Sequence, residues 1–368
     1  MKNVFLIIML IISASGSAQK KYYMLVGTYT NGRSKGIYVY DYNMSEGSAT
    51  LVDSVVTSNP SYLAISPDRN TVYAVNEEGG NGDGRVTSFS FDRSTGNLKE
   101  LSTTKSMGDH PCYVAVDKTG KWVTAGNYSS GSAALLSVDK NGELWLKGSM
   151  GFNKSMDSTA KKSHIHATVF SKDNKYVFMP DLGMDKIWVW KFDEKKGILT
   201  APHDSYVSLP DSSGPRHLVF HPSGKWAYLV QELSGTVTAF NYKDGQLKKI
   251  QSLSTLSKDF QGPARSADIH VSQDGKFLYA SNRDPSNNIA IYKINGQTGM
   301  LTLVGHQPTL GKTPRNFNFD PSGNYLFAAN QNSNNIVVFR VDHTTGLLKD
   351  TGNRIDVGNP VCVKWVER

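Results

Sequence analysis

Five ionisable side chains at the ends of short predicted β-hairpins are the residues of this sequence best suited to chemistry: His166, Arg216, Glu232, Arg283 and Arg315. Histidine has the side chain whose ordinary pKa best suits proton transfer near pH 7, and a carboxylate can orient it or act as the base itself. Guanidinium groups bind carboxylate or phosphate through paired donors. The set therefore predicts a site for a small anionic substrate.

Two further histidines lie beside this set. His217 follows Arg216, and His164 lies two residues before His166. On a strand, His164 and His166 would project to one face, as paired metal ligands do, but no third ligand is evident from the spacing. We therefore expect no metal and no other cofactor. We expect His164, His217 and Arg315 to contribute to substrate binding.

The five ionisable residues named above belong to a repeated unit of strand, turn and strand. Two of its copies are NPSYLAISPDRNTVYAVN at 59–76 and TPRNFNFDPSGNYLFAAN at 313–330, and similar segments begin at 110, 164, 214 and 265. Successive copies are about fifty residues apart, which leaves room for two more strands between hairpins. Four strands per period indicate the blade of a β-propeller.

The two ends of the chain complete one more blade. NPVCVKWV near the C-terminus supplies a first strand, and YYMLVGT near the N-terminus supplies its partner. Pairing them would close the ring and leave no exposed sheet edge there. The sequence therefore predicts an all-β fold, a seven-bladed β-propeller closed by the C-terminal strand pairing with the N-terminal strand.

Each hairpin of a propeller places its first and last residues around the central mouth, and we call these the opening and closing positions. The opening positions are Ser61, Cys112, His166, Arg216, Ala267, Arg315 and Val361, and the closing positions are Thr28, Glu77, Tyr128, Leu182, Glu232, Arg283 and Gln331. Most ionisable members fall in one arc of adjacent blades, and Glu77 is expected outside it. Structural ion pairs would be spread over all blades, so the clustering favours a site. The alternative is that Arg216 and Glu232 simply neutralise each other across their hairpin.

The N-terminus is typical of an export signal. Lys2 precedes an apolar run at 4–12, and small residues follow at 13–18. This pattern predicts a signal peptide over residues 1–18, a single mature domain over 19–368, and a periplasmic or secreted protein with no membrane span after cleavage.

Composition excludes several classes of function. The net charge is +8, but no run of Lys or Arg exceeds two residues, so we do not expect nucleic acid as a partner. The two cysteines, Cys112 and Cys362, fall in blades that are not neighbours, so a disulfide between them is not expected. We expect a monomer.

LVGTYT near the start, GPRHLVFHPSGKWAYLVQEL and TPRNFNFDPSGNYLFAANQ resemble the seven-bladed propeller lactonases, which include propeller-type 6-phosphogluconolactonases and the fungal carboxymuconate cyclase. The resemblance covers nearly all of the mature chain and implies hydrolysis of a sugar-acid lactone without a required metal. In the cyclase branch a His, an Arg, a Glu and a further Arg surround the channel. The matching residues here are His166, Arg216, Glu232 and Arg283.

The cluster of polar side chains suggests a mechanism for such a hydrolysis. We expect His166 or Glu232 to activate a water that attacks the lactone carbonyl, and Arg216 to stabilise the oxyanion. Arg283 and Arg315 would hold the acid or phosphate end. Because an export signal separates the chain from cytosolic sugar phosphates, an unphosphorylated lactone is an alternative substrate.

Two other functions stay open at this point. One is lactone-forming isomerisation of a carboxymuconate, in which the same groups move a proton instead of activating water. The other is a propeller used as a binding scaffold, with partners held by the long loops at 150–163 and 202–214, since this fold hosts both enzymes and binding proteins.

Overall fold

The computed structural model describes residues 20–152, 161–201 and 205–368. Strands in these ranges form seven antiparallel sheets, six of four strands and one of five. Inner strands of neighbouring sheets pack against one another all the way round, so the sheets close into a ring. The predicted seven-bladed β-propeller is confirmed.

Blade 1 is built from both ends of the chain. Its strands, from the centre outward, are β29 (Pro360–Glu367), β1 (Tyr22–Thr28), β2 (Gly36–Asn43) and β3 (Ser48–Val56). The antiparallel pairing of β1 with β29 runs from Tyr22 opposite Glu367 to Thr28 opposite Pro360. The C-terminal strand therefore closes the ring on the N-terminal strand, as the repeat predicts.

The other blades follow in chain order. Blade 2 contains β4 (Leu63–Ile65), β5 (Thr71–Asn76), β6 (Arg85–Phe91) and β7 (Leu98–Lys105), and blade 3 contains β8 (Pro111–Val116), β9 (Trp122–Asn127), β10 (Ser132–Val138) and β11 (Leu144–Gly151). Blade 4 contains β12 (Val169–Phe170), β13 (Tyr176–Asp181), β14 (Lys186–Asp193), β15 (Ile198–Thr200) and β16 (Tyr206–Ser208). Blade 5 contains β17 (Pro215–Phe220), β18 (Trp226–Gln231), β19 (Thr236–Lys243) and β20 (Gln246–Ser254). Blade 6 contains β21 (Ser266–Val271), β22 (Phe277–Asn282), β23 (Asn288–Ile294) and β24 (Leu301–Pro308), and blade 7 contains β25 (Pro314–Phe319), β26 (Tyr325–Asn330), β27 (Asn335–Val341) and β28 (Leu348–Asp356), with a 3₁₀ turn at Gln331–Ser333.

Blade 4 departs from the regular hairpin. Its inner strand is reduced to β12 and an isolated bridge between Ile165 and Asp181, and its outer edge is two short pieces that both pair with β14. His164 and His166 therefore lie on irregular backbone before β12. They flank the bridge residue Ile165 instead of lying within a regular strand, and both of their rings pack against Tyr128.

The hydrophobic core is divided among the interfaces between neighbouring blades. Between blades 5 and 6, for example, Tyr228 and Val230 pack with Leu278 and Tyr292, all buried. The second strand of a blade is covered on both faces, and every residue of β18 is buried. This explains why the second strands of the repeated hairpins are almost continuously apolar in sequence, instead of alternating between apolar and polar residues.

Polar residues at the ends of the second strands fix the loops that lead into the hairpins. Asn76, Asn127, Asn282 and Asn330 each donate a side-chain hydrogen bond to a backbone carbonyl of the loop that precedes their hairpin, at 2.7–3.1 Å. These amides satisfy loop carbonyls that the sheets leave unpaired. They hold in place the segments that carry the opening positions.

In the described ranges, no helix is long and apolar enough to cross a membrane. The predicted signal peptide, residues 1–18, lies outside these ranges and stays a prediction.

Candidate active site

A cavity of about 240 Å³ occupies the mouth of the propeller, and we call it the mouth cavity. Its lining residues share one property, since nearly all come from the opening or closing positions. They are Tyr29, Glu77, Cys112, Tyr128, His166, Glu232, Arg283 and Arg315. Every blade contributes at least one of them, so the cavity lies where all seven hairpins converge.

β-bulges aim the opening positions at the mouth. In blade 5 the register shifts between Pro215 and His217, and in blade 7 it shifts between Pro314 and Asn316. Arg216 and Arg315 are the extra residues of these bulges and have no partner opposite them on the second strand. A bulged residue leaves the alternation of the strand, which re-aims its side chain. The same shift occurs in blade 3 between Pro111 and Tyr113, so Cys112 also has no partner opposite it on the second strand.

The predicted site residues are divided between two levels. His166, Glu232, Arg283 and Arg315 line the mouth cavity. Arg216 and His217 lie beneath it, where they line a smaller cavity that Arg315 also reaches. His164 lies to the side, stacked on Tyr128 with ring centroids 4.5 Å apart, and its Nδ1–H donates to the Tyr128 carbonyl oxygen at 2.9 Å.

Glu232 joins the two levels. Its Oε2 accepts from Arg216 Nε at 2.9 Å, and its Oε1 accepts from Arg283 Nη2 at 2.7 Å. Burial alone would raise the pKa of Glu232, but Arg283 and Arg216 hold it below its ordinary value. Glu232 is therefore an ionised carboxylate with both oxygens bound to guanidinium groups.

Beneath the mouth, a chain of buried hydrogen bonds continues from Arg216 to Asp268. Asp268 Oδ1 lies 2.8 Å from His217 Nδ1, and Arg216 Nη1 lies 3.3 Å from His217 Nε2. These contacts fit one tautomer, in which Nδ1–H donates to the carboxylate and the bare Nε2 accepts from the guanidinium. Burial and the Arg216 charge lower the pKa of His217 to about 4, so it is neutral at pH 7.

Asp268 also accepts from His270 Nε2 at 2.9 Å and from Asn316 Nδ2. Burial would raise the pKa of its carboxyl, but His270 and His217 hold it well below its ordinary value. A buried carboxylate with this many donors is fully satisfied. Its role is to fix the orientation of His217 and, through it, of Arg216.

His166 is neutral as well. Its side chain is buried, and burial together with the Arg216 charge lowers its pKa well below the ordinary value. The Cys112 thiol lies 3.7 Å from its Nδ1. This pair does not form a thiolate nucleophile, because burial and the Glu77 charge raise the pKa of Cys112.

Arg315 is the mouth guanidinium without a carboxylate partner. Among the described residues it makes no salt bridge within 4.0 Å, and it lies over the Tyr29 ring at 5.5 Å from the centroid. Burial disfavours its charge, but Tyr29 and Glu77 raise its pKa above the ordinary value, so it stays charged. This cation faces the cavity and can bind an anion or a developing oxyanion.

Glu77 lies in the same cavity, although its place in the repeat predicts a position outside the arc. Seven blades meet at so narrow a mouth that residues on opposite sides of the ring line one space. Its Oε2 accepts from Tyr29 Oη at 2.8 Å and from the Ser61 hydroxyl. The mouth cavity thus holds two guanidinium groups and two carboxylates, and Arg216 and Asp268 beneath it add one charge of each sign, so the ionisable charges of the two levels balance.

Three site residues escape the sequence reasoning. Tyr29 replaces Thr28 at the mouth, because a register shift between Gly27 and Thr28 turns the Thr28 hydroxyl toward the Gly36 carbonyl. Tyr128 stands at a closing position but carries no ordinary charge. Asp268, in the interior of RSADIH, has no signal that marks it as buried beneath the mouth.

Both candidate metal ligands pack against the Tyr128 ring, at centroid distances of 4.5 Å for His164 and 5.3 Å for His166. The His164 Nδ1 donates to the Tyr128 carbonyl oxygen, and the His166 Nδ1 lies 3.7 Å from the Cys112 thiol. Residues 20–152, 161–201 and 205–368 contain no group of three or more His, Cys, Asp or Glu side chains arranged to hold a metal ion. Cys112 and Cys362 are both buried and free.

Comparison with known proteins adds an independent finding. The profile of the family described as "Lactonase, 7-bladed beta-propeller" matches residues 23–365. A protein of Formosa agariphila named 6-phosphogluconolactonase is 41% identical over 321 residues, which cover 84% of this chain and 89% of that one. The Bacillus subtilis protein of the same name is 34% identical over 353 residues, covering 95% and 99%. The structure of the Pseudomonas aeruginosa periplasmic gluconolactonase PpgL superposes with a TM-score of 0.89 at 36% identity, covering 94% of this chain and 99% of that one.

Proposed function

The chain belongs to the seven-bladed β-propeller lactonase family, and on that premise we propose that it hydrolyses a sugar-acid lactone in the mouth cavity. The observation that carries the proposal is Arg315, a charged and unpaired guanidinium that lies in one cavity with two carboxylates and a neutral imidazole. Hydrolysis turns a neutral carbonyl into an oxyanion and then into a carboxylate. A fixed cation in a buried cavity stabilises both.

The two levels of the site suggest a division of roles. Arg315 and Arg283 line the cavity, so we assign them to the oxyanion and to the acid end of the substrate. Arg216 is almost completely buried, does not line the mouth cavity, and has its Nε and Nη1 groups engaged, so it acts as a positioning residue for Glu232 rather than on the oxyanion. His217 positions Arg216 in turn.

His166 offers a different contact. Its imidazole is neutral and lines the cavity, so it can hydrogen-bond a lactone hydroxyl or the attacking water without adding charge. His164 is the less favourable candidate for this role, because its Nδ1 is already hydrogen-bonded to Tyr128. The sequence predicts His166 or Glu232 as the base, and both groups line the cavity.

The substrate proposal covers both phosphorylated and unphosphorylated aldonolactones. Relatives named 6-phosphogluconolactonase favour the first, and the neighbour named periplasmic gluconolactonase together with the predicted signal peptide favours the second. The same neighbour and signal support a periplasmic or secreted location. The names of these relatives favour hydrolysis over carboxymuconate isomerisation and over a binding scaffold.

A substrate panel tests the proposal. Proton release at constant pH is followed with the mature chain, residues 19–368, on δ-gluconolactone and 6-phosphogluconolactone. We expect at least one lactone to open well above its spontaneous rate, and the preference between the two identifies the physiological class. Opening of every lactone at the rate of buffer alone would overturn the proposed function.

A further inference from the structure

We propose that Glu77 is the general base that takes a proton from the attacking water. The inference rests on the proposed lactone hydrolysis and adds a catalytic residue to it. Glu77 follows β5 directly, at the closing position of blade 2, and lines the mouth cavity together with Arg283 and Arg315. Its position across the ring from Glu232 gives the cavity a second carboxylate.

The first reason is that the other candidate bases are engaged. Glu232 has one guanidinium on each oxygen, at 2.9 and 2.7 Å, and releasing either would leave a buried cation without its partner. The His166 imidazole is buried among the positive charges of Arg216 and Arg315, which oppose its protonation. A base must accept a proton at some point in the reaction, and both groups resist doing so.

The second reason is the geometry of Glu77 itself. Its Oε2 is held by the hydroxyl groups of Tyr29 and Ser61, which fix the orientation of the carboxylate. Its Oε1 makes no hydrogen bond to any residue in the described part of the chain. Since one oxygen is anchored, the other has no partner among the described residues and the side chain lines the mouth cavity, the carboxylate is oriented for proton abstraction.

The third reason is that Glu77 and Arg315 share a neighbour. Tyr29 donates its hydroxyl to Glu77 and presents the face of its ring to the Arg315 guanidinium. The base and the oxyanion-stabilising cation are thereby held in one unit. A lactone carbonyl bound to Arg315 would have its carbon within the same cavity as the free Oε1.

The reaction then balances in two steps. Glu77 takes one proton from water while the water oxygen bonds to the lactone carbonyl carbon, and the carbonyl electrons move to an oxyanion beside Arg315. The oxyanion collapses, the ring C–O bond breaks, and protonated Glu77 returns its proton to the departing ring oxygen. The hydroxy acid formed loses its carboxyl proton to solvent, so Glu77 ends as it began.

Two substitutions and a chemical rescue test the inference. Glu77→Gln keeps the size of the side chain and removes the base, so kcat should fall by roughly 10²–10⁴-fold while KM changes far less. Glu77→Ala opens space for a small carboxylate, and added formate should restore part of kcat in proportion to its concentration. A role in structure alone would not give this rescue.

The neighbouring carboxylate provides the matched control. Glu78 accepts from the Ser58 hydroxyl and does not line the mouth cavity, so Glu78→Gln should keep the wild-type rate. If Glu77→Gln also kept the wild-type kcat, or if formate failed to rescue Glu77→Ala, the inference would be overturned. Absence of lactone hydrolysis in the wild type is a different result, which refutes the proposed function itself.

Discussion

Replacing Glu232 with glutamine tests how much its ion pairs with Arg216 and Arg283 stabilise the folded protein. Glu232→Gln keeps the shape of the side chain but removes the charge that two guanidinium groups share. Arg216 is 1% exposed and Glu232 is 17% exposed, so water can do little to replace the lost partner. Breaking a buried pair by removing one charge costs roughly 3–5 kcal/mol, and the partial exposure of Glu232 places the expected loss near the lower end.

The assay is urea denaturation of wild type and variant, with the free energy of unfolding extrapolated to water. The matched control is Asp350→Asn. Asp350 accepts two hydrogen bonds from Arg354, each at 2.8 Å, but its side chain is 37% exposed on the outer strand of blade 7. Pairs of that kind contribute about 0–1 kcal/mol.

A loss for Glu232→Gln of about 3 kcal/mol, with a control loss below about 1 kcal/mol, is the expected outcome. The slope of the free energy against urea should stay the same in both variants, since neither changes the surface that unfolding exposes. Equal losses in the two variants would refute the reasoning, because Arg216 would then be solvated well enough to need no carboxylate.

The remaining predictions concern pH, thiols and the level beneath the mouth. The pKa of His217 is about 4 in the folded chain, below its ordinary value of about 6.5, so the unfolded chain binds more protons and stability falls as the pH drops through this range. The contribution of His217 to this loss is about 3 kcal/mol. His217→Asn can still donate to Asp268 but does not titrate, so the free energy of unfolding should depend less steeply on pH in this variant. An unchanged slope would contradict the neutral tautomer of His217. Burial raises the pKa of both Cys112 and Cys362, so a thiol reagent at pH 8 should label neither in the native protein and both in denaturant; rapid labelling of native Cys112 would show that the mouth thiol is accessible and ionised. Asp268→Asn should lower kcat through displacement of Arg216 while leaving substrate KM nearly unchanged, and a wild-type kcat would remove Asp268 from the list of positioning residues.

Periodicity alone accounts for much of the fold and for the position of the mouth. The backbone at the start or end of each hairpin lies at the same level along the propeller axis in every blade. Four residues at these positions, His166, Glu232, Arg283 and Arg315, therefore line one cavity. The same periodicity predicts that the two chain ends share one blade, and the pairing of β1 with β29 confirms it.

Periodicity cannot give the depth of a side chain. Arg216 and Arg315 occupy equivalent bulges, yet Arg216 turns down toward Glu232 and the Ala267 carbonyl whereas Arg315 faces the cavity. The difference lies in their own hairpins, because blade 5 closes with a glutamate and blade 7 closes with Gln331. The sequence does contain this information, since an arginine at an opening position can be compared with the residue at the closing position of the same hairpin.

Distances across the ring are the second limit. Glu77 is far from Arg283 and Arg315 in the order of blades, and only the width of the mouth determines whether they share a space. The repeat does not predict Tyr29 at the mouth, because a local register shift in blade 1 places Tyr29 there instead of Thr28. Neither quantity can be read from the spacing of repeats.

The most direct test of lactone hydrolysis at the mouth is the rate of lactone opening by wild type, Arg315→Met and Arg340→Met, measured side by side. Both arginines belong to blade 7 and lie over a tyrosine ring, but Arg340 is exposed on β27, where it donates to Tyr325 Oη at 3.0 Å. Loss of one oxyanion-stabilising donor lowers kcat by roughly 10²–10³-fold, so Arg315→Met should lose that factor and Arg340→Met should match the wild type. Equal lactonase rates in all three proteins would contradict a site in the mouth cavity.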